Sequence, residues 1–216
     1  MSTEEPSDSH SLGRSRILLA AKHLFATRGF NETTTLEIAR AADVSHAFLL
    51  NQFRGKDQLL VAVLDAGWSP ITKRIRALFR IQAPQRRLVR ALELLLDGWL
   101  RDPEAAELIL LEGRRLRAGG PTIAASSGLA NCVGIFDQYV AECRASGGWP
   151  AQISNAAIRS ALLALVEGLF LNERLYIRIG FPAPATLDEV RTLVLFFIRG
   201  LNQQHDNSQQ ATAYHV

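Results

Sequence analysis

Residues 33–60 read TTTLEIARAADVSHAFLLNQFRGKDQLL, and this stretch decides the fold. Thr34 and Glu37 form the pattern of a capping box, in which each side chain bonds the other residue's free backbone amide at the start of a helix. Ser45 is the cap of a second short helix, which follows the first after a turn of three to four residues at Asp43. Two short helices joined in this way predict a helix-turn-helix motif.

The segments around this motif also predict helices, and none of them alternates between apolar and polar residues with period two. A helix over residues 16–28 precedes the motif and ends at Gly29. A longer helix begins at Lys56, and we expect Pro70 to kink it. The sequence therefore predicts an all-α protein of about nine helices, with an N-terminal three-helix helix-turn-helix domain followed by a C-terminal helical bundle.

The composition also indicates how the chain is divided. Residues 1–13 and 202–216 are polar and have too few apolar side chains to build a core, so we expect both segments to be disordered. Between them we expect a helix-turn-helix domain over residues 14–60 and a second domain over residues 61–201. The first of these carries an excess of basic over acidic residues, which suits a polyanionic partner.

The two cysteines and the hydropathy indicate where the protein resides. Cys132 and Cys143 would lie about 16 Å apart on one helix, whereas a disulfide needs Cα atoms within about 7 Å. Unpaired cysteines are typical of a reducing cytosol. The acidic start lacks the apolar core of a signal peptide, and no apolar run is long enough to cross a membrane. We expect a cytoplasmic protein with no membrane partner.

Three stretches resemble the DNA-binding domain of the TetR family of transcriptional regulators. They are ILLAAKHLFATRGF at 17–30, TTTLEIARAADVS at 33–45 and FRGKDQLL at 53–60, and their apolar positions and helix caps fall in register with the family. The remainder of the chain resembles the family only in length and helix count. The resemblance implies a ligand-responsive regulator, favouring a repressor, that binds an inverted-repeat operator in double-stranded DNA as a homodimer.

The recognition helix would be the one capped by Ser45. His46 can donate to guanine or to a phosphate, and Ala47 and Phe48 can touch a thymine methyl group. Hydroxyl, amide and ammonium groups beside this helix can bind phosphates. The candidate DNA-binding residues are Thr34, Thr35, Ser45, His46, Ala47, Phe48, Asn51, Gln52 and Lys56.

Two positions depart from the family pattern. The family commonly has glycine where Asp43 stands, and aspartate tolerates the left-handed turn better than most residues. It commonly has a tyrosine where Leu50 stands, and leucine cannot bond a phosphate. The alternative function is therefore a helical small-molecule-binding or scaffold protein that has lost specific DNA binding.

Two apolar stripes near the C-terminal end suggest a dimer interface. Helix eight, predicted over residues 153–179, carries the small residues Ala157, Ala161, Ala164 and Gly168 on one face. Helix nine carries an apolar stripe formed by Leu187, Val190, Val194, Phe197 and Leu201. Two such helices from each chain would form a four-helix homodimer interface, as the resemblance also implies. The alternative is that both stripes pack only within one monomer.

The C-terminal bundle would bind a mostly apolar small molecule. The candidate ligand-binding residues are Trp68, Phe79, Leu96, Trp99, Leu110, Arg114, Phe136 and Tyr139. Aromatic residues on helices are also common in plain cores, so both interpretations stay open. The chain has no nucleotide-binding loop, metal-ligand cluster or Ser-His-Asp pattern, and we expect neither an enzyme nor a cofactor or metal ion.

Overall fold

The computed structural model describes residues 6–117, 126–146, 149, 152–180, 186, 188–189, 191–197 and 199–200, and their side chains except those of 6–9 and 113–117. Within this part the chain is helical and has no strand, which confirms the all-α prediction. The helices are α1 (Pro6–Arg28), α2 (Thr35–Ala41), α3 (His46–Gln52), α4 (Lys56–Arg76), α5 (Pro84–Arg101), α6 (Pro103–Arg117), α7 (Ser127–Ala145) and α8 (Asn155–Ile179). A 3-10 turn spans Ala77–Arg80, and residues 188–189, 191–197 and 199–200 are also helical.

The start of α1 corrects the prediction of disorder for residues 6–13 of the predicted segment 1–13, while residues 1–5 lie outside the described part. The helix begins at Pro6, because proline favours the first helical position and because Phe48 of α3 offers the early turns an aromatic surface. The predicted tail over residues 202–216 lies outside the described residues.

The contacts divide the chain into two compact units. The first comprises Met1–Pro70 and Asp102–Ala130, and the second comprises Ile71–Arg101 and Asn131–Val216. The first unit thus contains α6 together with the helix-turn-helix. The domain boundaries predicted from the sequence instead place α6 in the second domain, over residues 61–201.

In the first unit, α1 connects the helix-turn-helix with α6. Its inner side carries Ile17, Ala21 and Phe25, all almost completely buried. On another side, Lys22 Nζ donates to both carboxylate oxygens of Asp102, at 2.9 and 2.8 Å. Asp102 also caps α6, because its Oδ1 accepts from the amide of Ala105 at 3.2 Å.

Helix α4 continues through Pro70 as far as Arg76. Proline has no amide hydrogen to donate to the preceding turn, so this helix lacks one internal hydrogen bond at that point. The 3-10 turn over Ala77–Arg80 follows directly after α4.

The second unit is built around the buried sides of α5, α7 and α8. Its largest fully buried side chains include Leu92, Phe136, Tyr139 and Phe170. The Tyr139 hydroxyl donates to the carbonyl of Ile75 at 2.6 Å, which ties α7 to the last turn of α4.

Both cysteines lie on α7, as predicted, and both are buried and unpaired. Burial raises the pKa of Cys132 and of Cys143 to about 12, so neither thiol is ionised at neutral pH. None of the helices in the described part combines the length and apolarity needed to cross a membrane.

Candidate nucleic-acid interface

The helix-turn-helix begins with the predicted capping box. Thr34 Oγ1 accepts from the amide of Glu37 at 3.2 Å, and the amide of Thr34 donates to Glu37 Oε2 at 2.9 Å. These bonds from the Thr34 amide and hydroxyl, with the charge of Arg28, hold the pKa of Glu37 below its usual value. The cap therefore stays ionised, and intact, at neutral pH.

The turn and the second cap also follow the prediction. Asp43 takes a left-handed conformation with φ of 51°, which leads the chain out of α2. Ser45 Oγ then accepts from the amide of Phe48 at 3.1 Å and caps α3. These local bonds fix where α3 starts, and hence which side chains lie at its exposed end.

The core beneath α3 determines which of its sides is exposed. Leu49 is completely buried and Phe53 is nearly so. Ala47, Leu50 and Asn51 are exposed, and their spacing of three and four residues places them on one side of the helix. Leu50 cannot bond a phosphate and is not among the DNA-binding residues predicted from the sequence. Its side chain is 44% exposed, which makes it a candidate contact for a thymine methyl group.

The predicted DNA-binding residues are all at least partly accessible. Four of them are exposed: Thr34, Ser45, Ala47 and Asn51. The other five are half-buried: Thr35, His46, Phe48, Gln52 and Lys56. His46 Nε2 lies 2.9 Å from Thr35 Oγ1, so the first side chain of α3 is bonded to the first side chain of α2. This bond holds the imidazole in a fixed position at the start of the recognition helix.

Lys56, for which the sequence predicts a phosphate contact, makes three hydrogen bonds within the protein. Its Nζ donates to three backbone carbonyls in the loop after α1, those of Phe30, Asn31 and Thr33, at 2.8, 3.3 and 3.0 Å. The same ammonium lies 4.4 Å from the centre of the Phe30 ring. An ammonium has three N–H donors, so these bonds use all of them. Lys56 thus holds the loop between α1 and α2 to the start of α4.

Phe48 is half-buried, and part of its ring is covered by α1. The first turns of α1 lie against its ring: the His10 ring centre is 5.6 Å from that of Phe48. Gly13 lies so close that a Cβ atom there would be 2.8 Å from Phe48 Cε1. Two turns of α1 thus lie beside α3, and no local pattern in the sequence indicates a contact between residues so far apart in the chain.

The predicted ligand-binding residues are divided between the two units. Trp68 and Leu110 are buried in the first, and the side chain of Arg114 lies outside the described part. The second unit contains the others, Phe79, Leu96, Trp99, Phe136 and Tyr139. There the Tyr139 ring centre lies 4.8 Å from that of Phe79 and 6.4 Å from that of Phe136, so three of the predicted residues form one aromatic cluster.

Arg87 belongs to this cluster, although sequence reasoning missed it. The residue is only 6% exposed, and its guanidinium lies 5.4 Å from the centre of the Phe79 ring and 5.0 Å from that of Tyr139. It bonds Glu142, while its Nε has no acceptor among the described residues. Its position in the sequence could have indicated this burial, because Arg87 lies one turn before Ala91 on the buried side of α5.

The outer side of α8 carries the predicted small-residue stripe. Ala157, Ala161, Ala164 and Gly168 are all exposed, and a Cβ atom at Gly168 would meet nothing within 4 Å. Of the predicted helix-nine stripe, Leu187, Val190 and Leu201 lie outside the part whose side chains are described.

Two residues of that second stripe have described side chains, and their exposure differs. Val194 is 1% exposed and packs within its own chain, which corrects its place in an interface stripe, whereas Phe197 is 38% exposed. The neighbouring Leu193 and Phe196, which the prediction did not include, are exposed by 48 and 67%.

The comparisons with known proteins agree with this geometry. Residues 17–63 match the model of the bacterial regulatory proteins of the tetR family. An HTH-type transcriptional repressor of Mycobacterium tuberculosis is 36% identical over 107 residues, which cover 43% of this chain and 55% of the repressor. An HTH-type transcriptional regulator of Mycobacterium bovis matches to the same extent. The chain thus spans about half the length of the curated relatives it matches.

Solved structures share the fold over most of the chain. The transcriptional regulator FadR from Bacillus subtilis, in complex with stearoyl-CoA, has a TM-score of 0.69 at 16% identity, over 85% of this chain and 96% of that one. The fatty acid degradation regulator FadR from Bacillus halodurans has a TM-score of 0.69 at 17% identity, over 84% of this chain and 97% of that one. The family match at residues 17–63 coincides with the capped helix-turn-helix and its buried core, and this segment is similar to the tetR family of bacterial regulatory proteins.

Proposed function

We propose that this protein is a ligand-responsive transcriptional repressor that binds an inverted-repeat DNA operator as a homodimer. The observation that carries the proposal is the exposed side of α3. Ala47, Leu50 and Asn51 lie there without partners in the core, above the buried Leu49 and beside the fixed imidazole of His46. Small, apolar and amide side chains at the exposed side of a recognition helix suit the edges of bases in the major groove.

A gel-shift assay with DNA from upstream of the protein's own gene tests this proposal. The wild-type chain should shift this DNA in the presence of excess unrelated competitor. Ala47→Glu places a negative charge on the exposed side of α3 and should abolish the shift, whereas Ala77→Glu at an exposed position of the 3-10 turn should leave it unchanged. Equal behaviour of the two variants would mean that α3 is not the reading element.

The alternative proposal, a helical small-molecule-binding or scaffold protein, draws on Leu50. A leucine cannot replace the phosphate-binding phenol that the family commonly has at this position, and its exposed side chain costs free energy when no partner covers it. Under this alternative, the chain would bind specific and unrelated DNA with the same affinity at every salt concentration.

His46 should act on sequence preference. If its imidazole reaches a base edge, His46→Ala should cost about 1–3 kcal/mol at one base pair of each half-site and leave other positions unaffected. Competition with operators carrying single base-pair changes measures this. A uniform loss of affinity across all of them would instead assign His46 to a phosphate.

Gly13 should act through Phe48. Gly13→Ala removes a helix-interior glycine, which favours α1 by about 1 kcal/mol, yet its new methyl group would displace the Phe48 ring. We expect operator affinity to fall by about tenfold, with thermal stability unchanged or slightly raised. Shortening the partner residue in the double variant Gly13→Ala, Phe48→Leu should restore part of the affinity. A double variant that is weaker than Gly13→Ala alone would contradict this coupling.

The exposed side of α8 supports the homodimer. Its small residues would allow a helix of a second copy to approach closely, and the exposed Leu193, Phe196 and Phe197 would add apolar area to the same association. Apolar side chains this exposed are unfavourable in water unless a partner covers them.

The buried aromatic cluster of the second unit supports a mostly apolar ligand. Two donors within that unit, Arg87 Nε and Trp99 Nε1, are buried without acceptors among the described residues. Buried donors are costly unless they are bonded, so a ligand oxygen would stabilise them. An apolar molecule that carries an oxygen acceptor suits this composition.

A further inference from the structure

The second unit has a cleft of about 180 Å³ that none of the predicted site residues line. Its charged lining consists of four arginines and two carboxylates, contributed by α4, α5 and the helical residues near the C-terminal end: Arg74, Arg90, Glu93, Asp97, Arg101 and Arg191. We propose that this cleft is a binding site for a phosphate-bearing anion of the size of a diphosphate.

Glu93 is bonded by two of the arginines. Arg90 Nη1 donates to one of its oxygens at 2.8 Å, and Arg191 Nε donates to the other at 2.5 Å. Partial burial raises the pKa of Glu93, but the hydrogen bonds and charges of Arg191 and Arg90 outweigh it and leave this pKa below its usual value. Glu93 is therefore ionised at neutral pH.

Asp97, one turn further along α5, repeats this arrangement. Arg74 Nη2 donates to one of its oxygens at 3.1 Å, and Arg101 Nε donates to the other at 2.9 Å. Here too burial raises the pKa and the two arginines outweigh it. With both carboxylates ionised, the cleft has four positive and two negative charges at neutral pH.

This surplus distinguishes the cleft from a balanced network of salt bridges. Two arginines would neutralise the two carboxylates, and Asp188, whose Oδ1 lies 3.5 Å from Arg191 Nη1, offsets a third arginine. One positive charge is left over, and an anion in the cleft would offset it. A guanidinium has five N–H donors, and the bonds to Glu93 and Asp97 use a single nitrogen on each arginine. Arg74, Arg90 and Arg101 thus keep donors for a second anion.

The chemistry of guanidinium identifies the class of that anion. Its planar fork matches the paired oxygens of a phosphate better than it matches a spherical ion such as chloride. A cleft of about 180 Å³ also exceeds the ~30 Å³ that one water molecule occupies in the liquid. It therefore has room for several heavy atoms, as in a diphosphate.

Calorimetric titration of the full chain with inorganic pyrophosphate, at constant ionic strength, tests this site. Wild type should bind saturably, and Arg90→Gln should bind at least about tenfold more weakly. Arg86→Gln is the matched control, because it makes the same change at an exposed position of α5 outside the cleft and should bind as wild type does. Glu93→Gln removes a competing negative charge and should bind more tightly. Adenosine diphosphate, titrated in parallel, distinguishes the sources: tighter binding than pyrophosphate supports a nucleotide, and equal binding supports recognition of the phosphates alone.

Three results would overturn the proposal: no saturable binding of pyrophosphate, equal weakening by Arg86→Gln and Arg90→Gln, or Glu93→Gln binding no tighter than wild type. Circular dichroism of each variant confirms that the helices are intact. The titration contains no DNA, so its result is independent of the proposed repressor function.

Discussion

Gly168→Arg should convert the protein into monomers and lower its affinity for an inverted-repeat operator by roughly 100- to 10,000-fold. The first effect follows because a long charged side chain on the small-residue side of α8 would keep a second helix away and bury its charge in an apolar interface. The second effect follows because a dimer binds both half-sites at once, and linking two binding modules raises the affinity by this factor over that of one module. Sedimentation measures the first effect, and a fluorescence-anisotropy titration of labelled operator measures the second.

Gly134→Arg is the control for this change. Gly134 is an exposed glycine of α7, and a Cβ atom there would also meet nothing within 4 Å. Its substitution introduces the same side chain on another helix and should leave both mass and affinity unchanged. A Gly168→Arg protein that remains dimeric would show that the partner binds elsewhere.

Lys56→Met should lower the free energy of unfolding by about 2–4 kcal/mol. Methionine keeps most of the apolar stem but leaves three carbonyls of the loop after α1 without their charged donor, and hydrogen bonds to charged groups are worth about 1.5–3 kcal/mol each. Partial access of water to these carbonyls keeps the total below the sum. Urea unfolding followed by circular dichroism measures the change.

Lys73→Met is the matched control, because Lys73 is an exposed lysine of the same helix. It should change stability by less than about 0.5 kcal/mol. If Lys56→Met instead leaves stability unchanged and lowers the salt dependence of DNA binding by about one unit, Lys56 is the phosphate contact that the sequence predicts.

The sequence predicted those parts of the site that depend on local bonds. A threonine with a glutamate three residues later and a serine before a short amphipathic helix each satisfy backbone amides within three residues, and an aspartate tolerates the left-handed conformation of its own backbone. The structure has all three, at Thr34, Ser45 and Asp43. Such bonds hold largely irrespective of what the rest of the chain does, so the pattern predicts them reliably.

The features that the sequence missed depend on contacts between distant residues. A lysine at the start of a helix can bind a phosphate when its ammonium has donors left over. The carbonyls that accept from Lys56 belong to residues more than twenty positions earlier, so the local pattern does not indicate them. The contact of Gly13 with Phe48 spans α1, α2 and a turn. Periodicity predicts an apolar stripe on helix nine. It does not predict which residues of that helix pack within their own chain, as Val194 does.

We expect two copies of α3 to bind two symmetric half-sites of DNA. Selection of bound sequences from a random double-stranded library by the wild-type protein tests it most directly, since it assumes no target gene. We expect enrichment of an inverted repeat whose half-site centres lie about 34–36 Å apart, or about 10–10.5 base pairs, and loss of that enrichment with Ala47→Glu. Enrichment of an unrepeated motif, or of none, would contradict it.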